Sequence, residues 1–464
     1  MVQLTVLSYI LIPLTLYILY KDKEKIFYFM VFFSPFTASS VLNIDVGPLK
    51  YGLQLSYWFG VVWILVMGHK LYKKELKISR KVRKAIFTFL ALWTCVLISL
   101  FMPIILPRIG VEVVVKSIKS WVGEVPLSFS SYNITQFMYF TFVIIIAIFS
   151  IIYCNTRKVI YNTLRVLLYS TQFTVLWGFV QLFTFALKIP YPSFIFNNTI
   201  GLNLWDQVEG NIKRINSVAA EPSMYALFLS IMIPIILILW ISNTNIIHRR
   251  LMNILTVSTL IMAVLTTSTT AYVGLGSSVL LIIILLASPY YKRFREESFV
   301  KNVKVMMSIV GVILVIFIIS AISITKVREF TGIIYTMIFN KLSTGSGMER
   351  KDALLGGLSV FIKSPIFGVG FGSNRTFDLF TTLLSTTGVL GFGTFIYMNI
   401  SILKRGFLNF KNNINNEFSI ISIALVISIL SGLVCLFVSI PDIIFVFYWI
   451  VLALIVCITN IERI

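Results

Sequence analysis

Residues 222–241 have the sequence PSMYALFLSIMIPIILILWI, which contains no charged side chain. A helix needs about 20 consecutive apolar residues to cross the hydrocarbon core of a membrane. Similar runs recur along the whole chain of 464 residues, of which 58% are hydrophobic and only 12% charged. A soluble domain carries about 25% charged residues. The sequence therefore predicts an all-α polytopic membrane protein and excludes a soluble globular protein, a disordered chain and a disulfide-bonded scaffold.

The apolar runs predict about thirteen transmembrane helices within a single integral membrane domain, residues 1–464. The eighth and ninth are separated by a short turn at Thr266–Thr270. The predicted spans are 2–20, 26–42, 51–68, 85–106, 134–153, 166–187, 222–241, 251–267, 271–289, 305–325, 381–403, 417–439 and 443–460.

The distribution of basic residues predicts the orientation of the chain. If the N-terminus lies outside, most of the 39 lysine and arginine residues fall in loops on the cytoplasmic side, as the positive-inside rule requires. The net charge of +21 then indicates contact with membrane lipids rather than a nucleic-acid partner. The first span is expected to be retained, because basic residues follow it instead of preceding it. An odd number of spans places the C-terminus in the cytoplasm.

Three long segments are expected on the outer side, at 107–133, 188–221 and 326–380. Within the first, Val111–Trp121 predicts a short amphipathic helix on the membrane surface. The last is a long extracytoplasmic loop, and chemistry is expected in these segments because the inner loops are short and basic. The four cysteines and two histidines show no spacing typical of a metal site, so neither a metal nor a cofactor is predicted.

The second outer segment places two charges close to the start of a predicted span. Glu221 directly precedes Pro222, a residue suited to the first turn of a helix, and Arg214 comes seven positions earlier. Glu221 could simply be a charged residue at the positive end of the helix dipole. Alternatively, it lies at membrane depth and acts as a base or orients a sugar hydroxyl, since acidic residues at this depth are usually functional.

The third outer segment is the richest in candidate ligand-binding residues. Arg350 opens an apolar helical stretch, and Arg375 and Asp378 follow a glycine-rich loop. Arginine binds phosphate oxygens through a bidentate fork and keeps its charge, so Arg214, Arg350 and Arg375 predict an anionic ligand such as a lipid diphosphate. The loop glycines permit tight turns and close approach to a ligand; they are Gly368, Gly370 and Gly372.

Two motif segments resemble the O-antigen polymerase and ligase superfamily of bacterial membrane glycosyltransferases. They are Arg214…Glu221-Pro222-Ser223 and Arg350…Ser364-Pro365-Ile366-Phe367-Gly368-Val369-Gly370-Phe371-Gly372. Gly388–Phe392 is similar to the start of the helix after the long loop in that family. Ligases carry a histidine in this loop, whereas Ser373–Asp378 has none. The resemblance is therefore greatest to Wzy-type polymerases of polysaccharide repeat units.

The resemblance implies a GT-C-like enzyme of the bacterial cytoplasmic membrane that uses undecaprenyl-diphosphate-linked glycans and no cofactor. It would join repeat units of O-antigen, capsule or exopolysaccharide, with a chain-length regulator as a possible partner. Arg214, Arg350 and Arg375 would bind the diphosphates, and Glu221 or Asp378 would accept the proton of the attacking hydroxyl. The alternatives are a flippase for the same lipid-linked oligosaccharide, an O-antigen ligase, and a structural or regulatory membrane protein.

Overall fold

The computed structural model is mostly helical. It describes the chain from residue 1 to 461 with several gaps, and the predicted span 305–325 and most of 326–344 lie outside the described residues. The gaps are 47–48, 77, 107–109, 117–120, 201–204, 210–211, 413–416 and, within 289–344, every residue except 304, 328–329, 331–332, 335–336 and 340.

The described helices and strands have the following bounds. The helices are α1 (Ser8–Asp22), α2 (Lys25–Phe32), α3 (Leu55–Tyr72), α4 (Arg80–Ser99), α5 (Met102–Ile105), α6 (Ser131–Tyr153), α7 (Arg157–Ala186), α8 (Ser193–Phe196), α9 (Pro222–Ile241), α10 (Arg249–Leu265), α11 (Thr269–Ala287), α12 (Gly345–Lys363), α13 (Leu379–Asn412), α14 (Glu417–Ser439) and α15 (Val446–Ile461). The strands are β1 (Val2–Leu4), β2 (Ser40–Val46), β3 (Leu49–Gln54), β4 (Glu112–Lys116), β5 (Trp121–Pro126), β6 (Val208–Glu209) and β7 (Ile212–Lys213).

Seven helices in the described part of the chain are long and apolar enough to cross a membrane. They are Arg80–Ile105, Ser131–Tyr153, Arg157–Ala186, Pro222–Ile241, Thr269–Ala287, Leu379–Asn412 and Glu417–Ser439. The coarse prediction of a helical protein with apolar spans is confirmed. The total of about thirteen spans stays a prediction.

Helix α9 lies at the centre of the bundle. In its most apolar stretch, 94% of the residues are buried; a helix that is apolar around its whole circumference needs cover from neighbouring helices or from lipid. Helices α10, α11 and α14 provide that cover. Small residues permit the close approach: a Cβ at Gly274 of α11 would lie 1.9 Å from Ser230 Oγ, and Ser428 of α14 donates a hydrogen bond to the carbonyl oxygen of Ile231 at 2.5 Å.

Three segments depart from the predicted helical pattern. The span predicted at 26–42 ends as a helix at Phe32, and β2 begins at Ser40. The sequence Ser34-Pro35 explains the stop, because a proline disfavours the helical conformation of the residue before it. Strand β3 likewise precedes α3 inside the predicted span 51–68, and β1 precedes α1 inside the span 2–20. These strands form one antiparallel sheet in the order β1-β2-β3.

The amphipathic helix predicted at 111–121 is wrong. Strand β4 pairs antiparallel with β5, with Val113 opposite Val125. Val111 and Val113 are both buried, which is the two-residue periodicity of a strand. The run of β-branched valines in β4 favours this conformation.

The loops meet at two ends of the bundle. One end, called the site end below, contains the described residues of the segments 33–54, 187–221, 364–378 and 440–445. Backbone bonds join its segments: Ala38 N–H donates to Val218 O at 3.0 Å, and Thr199 N–H donates to Ala38 O at 3.1 Å. The opposite end is closed by other contacts, among them the Lys70–Glu24 ion pair at 2.5 Å.

Candidate functional site

The glycine loop fills a break in helix α13. At Gly388 the backbone adopts φ 64° and ψ −169° and interrupts the helix. Val369 and Gly370 donate backbone hydrogen bonds to Ser385 O (2.8 Å) and Thr386 O (3.0 Å). In return, the amides beyond the break bond to the loop, with Val389 N–H 2.8 Å from Pro365 O. The backbone groups released by the break are thus satisfied, as burial requires.

The three loop glycines serve contacts within the protein. Gly368, Gly370 and Gly372 have φ values of 69°, 109° and 83°, which disfavour any residue with a side chain. A Cβ at Gly368 would lie 2.3 Å from the backbone of Thr386. One at Gly370 would lie 2.4 Å from the ring of Pro103. The predicted close approach is therefore real, but at these two positions the approaching groups belong to the chain itself.

A buried segment holds Arg214 and Glu221 at its two ends. Gln181 of α7 organises it: its Oε1 accepts from the Asn216 and Ser217 amides at 3.1 and 3.0 Å, and its Nε2 donates to Asn216 Oδ1 at 2.7 Å. Ser217 has φ 52°, a strained value for serine, and its hydroxyl donates to Thr174 O at 2.6 Å. This network fixes the path of residues 215–220.

Glu221 occupies the N-cap position of α9, but its carboxylate has a different partner. Oε2 accepts from the Ser223 hydroxyl at 3.0 Å, and in the described first turn of α9 no backbone N–H caps against this side chain. The Glu221 charge instead raises the pKa values of Arg350 and Arg375. Glu221 thus lies at the start of α9, and its charge also acts on Arg350 and Arg375; its role as a base stays a prediction.

Arg350 lies on α12 at the centre of these charges. Burial lowers the pKa of its guanidinium, the carboxylates of Glu221 and Asp378 raise it, and the neighbouring Arg214 lowers it. Its contacts with the protein are few and weak: Nη1 lies 3.5 Å from Ser439 O, and the guanidinium sits 5.2 Å from the ring centre of Phe377. A half-buried arginine with such loose contacts is suited to bind an external anion.

Arg375 is held much more firmly. Its Nη2 lies 3.3 Å from Asp442 Oδ2, and its Nη1 donates to the Tyr132 hydroxyl at 2.9 Å. Asp442 raises the pKa of Arg375 further above its ordinary value, against the effect of burial. Arg375 therefore remains charged, and its Nη2 atom already interacts with Asp442.

Asp378 caps the start of α13. Its Oδ1 accepts from the Thr381 amide at 2.7 Å, and its Oδ2 accepts from the Thr381 hydroxyl at 2.5 Å. This is the geometry of an N-cap, in which the side chain satisfies an amide that the helix leaves unbonded. The carboxylate is buried and lies within electrostatic reach of Arg350.

The five charged residues selected from the sequence are linked by electrostatic interactions: Glu221, Arg214 and Asp378 act on Arg350, and Glu221 also acts on Arg375. We call the charge cluster the set Arg214, Glu221, Arg350, Arg375, Asp378 and Asp442. Sequence reasoning missed Asp442, although it carries the same signal as Glu221: an acidic residue beside a proline at the edge of an apolar run. Tyr132, Arg375 and Asp442 contribute to the lining of a small cavity of about 30 Å³.

The charge cluster combines three arginines with three carboxylates. Among the described residues, no group of three or more histidine, cysteine, aspartate or glutamate side chains could hold a metal ion. The six side chains of the cluster lie in a partly buried environment. Such an environment strengthens interactions with a charged ligand.

The fold and the site define a helical protein with apolar helices of membrane-spanning length and a charge cluster at one end of the bundle. No protein-family model matches the chain, and no curated protein matches it. The resemblance to O-antigen polymerases therefore stays a prediction that rests on the motif residues of the sequence.

Proposed function

We propose that the chain is a Wzy-type polymerase of undecaprenyl-diphosphate-linked repeat units in a bacterial cytoplasmic membrane. It transfers a growing glycan from its lipid diphosphate to a hydroxyl of the next lipid-linked repeat. The observation that carries the proposal is the charge cluster, because residues from four separate segments (214–221, 350, 375–378 and 442) act on one another electrostatically. A lipid diphosphate is the anion that this cluster of arginines at a helix end suits best.

The arginines stabilise the leaving group. The acceptor oxygen forms a bond to the anomeric carbon of the donor sugar, the bond from that carbon to the diphosphate oxygen breaks, and its electron pair stays on the diphosphate. Arg350 and Arg214 bind the oxygens on which this charge grows. Preorganised donors of this kind contribute about 10²–10³ to a rate. Arg375, already paired with Asp442, orients the second diphosphate.

Glu221 is the proposed base. It receives the proton of the attacking hydroxyl, a role that contributes about 10²–10⁴ to a rate. Its carboxylate faces arginines and has a single hydroxyl partner, Ser223, at 3.0 Å. Asp378 has both carboxylate oxygens engaged by Thr381, and so it positions the start of α13 instead.

The charge distribution supports an outward-facing site end. The loops and helix termini of the opposite end are rich in lysine and arginine, as expected on the cytoplasmic side. The N-terminus then lies outside and the C-terminus in the cytoplasm. The basic residues of that end include Lys21, Lys23, Lys70, Lys73, Arg157, Lys158, Arg249 and Arg250.

A deletion strain distinguishes the polymerase from the alternative functions. Loss of a polymerase leaves single repeat units exported, loss of a flippase leaves none exported, and loss of a regulator changes only the length distribution. A deletion that abolishes export of single repeats would overturn the proposal. A chain-length regulator is expected to bind the protein but is not required for bond formation.

Reconstitution tests the chemistry directly. The donor and acceptor are lipid-linked repeat units extracted from the deletion strain, and the products are counted as a ladder on a gel. Glu221→Gln is expected to reduce the rate by about 10²–10⁴, whereas Glu349→Gln, an exposed acid on α12, retains it. A folded Glu221→Gln variant with a normal rate would exclude Glu221 as the base.

A further inference from the structure

A second cavity of about 260 Å³ lies beside the charge cluster. It is bounded by the β2–β3 hairpin, helices α3 and α6, and the segment 440–445, which connects α14 to α15. Its lining combines three tyrosines with hydrogen-bonding and charged groups. The residues that matter here are Lys50, Tyr51, Gln54, Tyr57, Tyr139 and Asp442.

The aromatic wall of this cavity is fixed in place. The Tyr57 ring stacks on Phe142 with centroids 4.4 Å apart and an interplanar angle of 22°. Its hydroxyl donates to Ile444 O at 3.3 Å, and Tyr139 packs edge-on against it at 5.3 Å. A wall held by packing and by a hydrogen bond presents a preorganised surface to a ligand.

The hairpin wall is fixed as well. Asn198 accepts from the Ser40 amide at 2.8 Å through its side chain, and its carbonyl accepts from Asn43 Nδ2 at 2.9 Å. Thr199, which also lines the cavity, approaches Gly52 so closely that a Cβ there would lie 2.0 Å from its hydroxyl. These contacts hold strand β3, which contains Tyr51, against Asn198 and Thr199.

Two lining residues place the cavity next to the proposed chemistry. Asp442 lines both this cavity and the small one around Arg375, and its Oδ2 pairs with Arg375 at 3.3 Å. Ala220, the residue before Glu221, lines the cavity too. A ligand group bound here therefore lies next to the proposed base and to the arginines.

We propose that this cavity binds a sugar ring of the acceptor glycan, which deepens the proposed function and rests on it. A sugar ring has apolar C–H faces, which match aromatic rings, and a rim of hydroxyl groups, which match Gln54, Lys50 and Asp442. The volume is just below the range of about 300–1,000 Å³ typical of small-molecule pockets, a size that suits one sugar ring. Asp442 orients an acceptor hydroxyl, and Arg375 fixes its carboxylate.

The test uses the repeat-unit oligosaccharide released from its lipid diphosphate by mild acid. This probe keeps the acceptor hydroxyls and lacks the diphosphate. Its binding to the detergent-purified full chain is measured by calorimetry, independently of catalysis. Tyr51→Ala is expected to weaken binding about tenfold or more, as for a central aromatic contact. Tyr51→Phe retains binding because the ring face remains, and Asp442→Asn weakens it.

The matched control is Tyr9→Ala, an exposed tyrosine of α1, which should bind as the wild type does. If the wild type polymerises repeat units but the oligosaccharide does not bind, or binds equally to Tyr51→Ala and Asp442→Asn, the sugar site is overturned and the polymerase proposal stands. If the wild type does not polymerise, the polymerase proposal fails. A binding loss confined to Tyr51→Ala and Asp442→Asn would then still support a saccharide site.

Discussion

Replacing Arg350 by alanine should lower the rate of the proposed reaction strongly and the free energy of unfolding only slightly. The side chain makes one long hydrogen bond, 3.5 Å to Ser439 O, and one cation–π contact, 5.2 Å from the centre of Phe377. A cation–π contact contributes about 0.5–2 kcal/mol, and a hydrogen bond of this length adds little. The free energy of unfolding should therefore fall by about 1–2 kcal/mol. The loss of one preorganised donor should lower the polymerisation rate by about 10²–10³.

The assay measures the initial rate with lipid-linked repeat units in liposomes, together with the unfolding midpoint in detergent. Arg350→Lys keeps the charge but loses the planar fork, so its rate should lie between those of the wild type and Arg350→Ala. Lys351→Ala removes an exposed cation from the same helix and should leave the rate unchanged. A folded Arg350→Ala variant that polymerises at the wild-type rate would refute the leaving-group role.

Three further predictions concern the site end. Gly368→Ala should lower the unfolding midpoint, because the residue has φ 69° and such strain costs about 1–3 kcal/mol; an unchanged midpoint would contradict the packing of the glycine loop. Arg375→Ala and Asp442→Asn should each destabilise the protein by about 2 kcal/mol, below the 3–5 kcal/mol of a fully buried pair, and the double variant should cost less than their sum in a double-mutant cycle. Burial lowers the pKa of Lys213 to about 8, whereas the unfolded value is about 10.4. The unfolded chain then binds more protons, so stability should rise with pH between these values, and Lys213→Met should flatten that rise in thermal unfolding.

The fold could be predicted where apolar composition and helix signals agree. The bounds 222–241 and 417–439 match α9 and α14, since both helices are apolar on all faces and are enclosed by neighbours. Prediction failed at 40–42, the end of the predicted span 26–42, where β2 (Ser40–Val46) begins. Hydrophobicity alone does not distinguish a buried strand from a helix segment, and the hydrogen bonds that fix this strand are accepted by Asn198, far along the chain.

The arginines of the site could be selected because the three predicted outer segments contain only five arginines, and Glu221 because it directly precedes a predicted span. Their grouping depends on tertiary contacts that no local pattern encodes, such as the Gln181 network under residues 215–220. Asp378 was predicted as a possible base; its hydrogen bonds to Thr381 show a helix cap that the sequence analysis did not consider, and the role as base stays a prediction. The glycine loop was expected to permit close approach of a ligand; Gly368 closely approaches the backbone of α13, and the approach of a ligand stays a prediction.

The interruption of α13 at Gly388 has a mechanical consequence. Backbone hydrogen bonds join residues 365–370 to both sides of the break. The segment that carries Arg375 is therefore attached to a long apolar helix. Displacing that segment would break several of these backbone hydrogen bonds at once, and buried amides without partners are costly. The segment is therefore expected to keep its position relative to α13. In the proposed polymerase, the polyprenol and the lengthening saccharide would then move while the arginines stay in place.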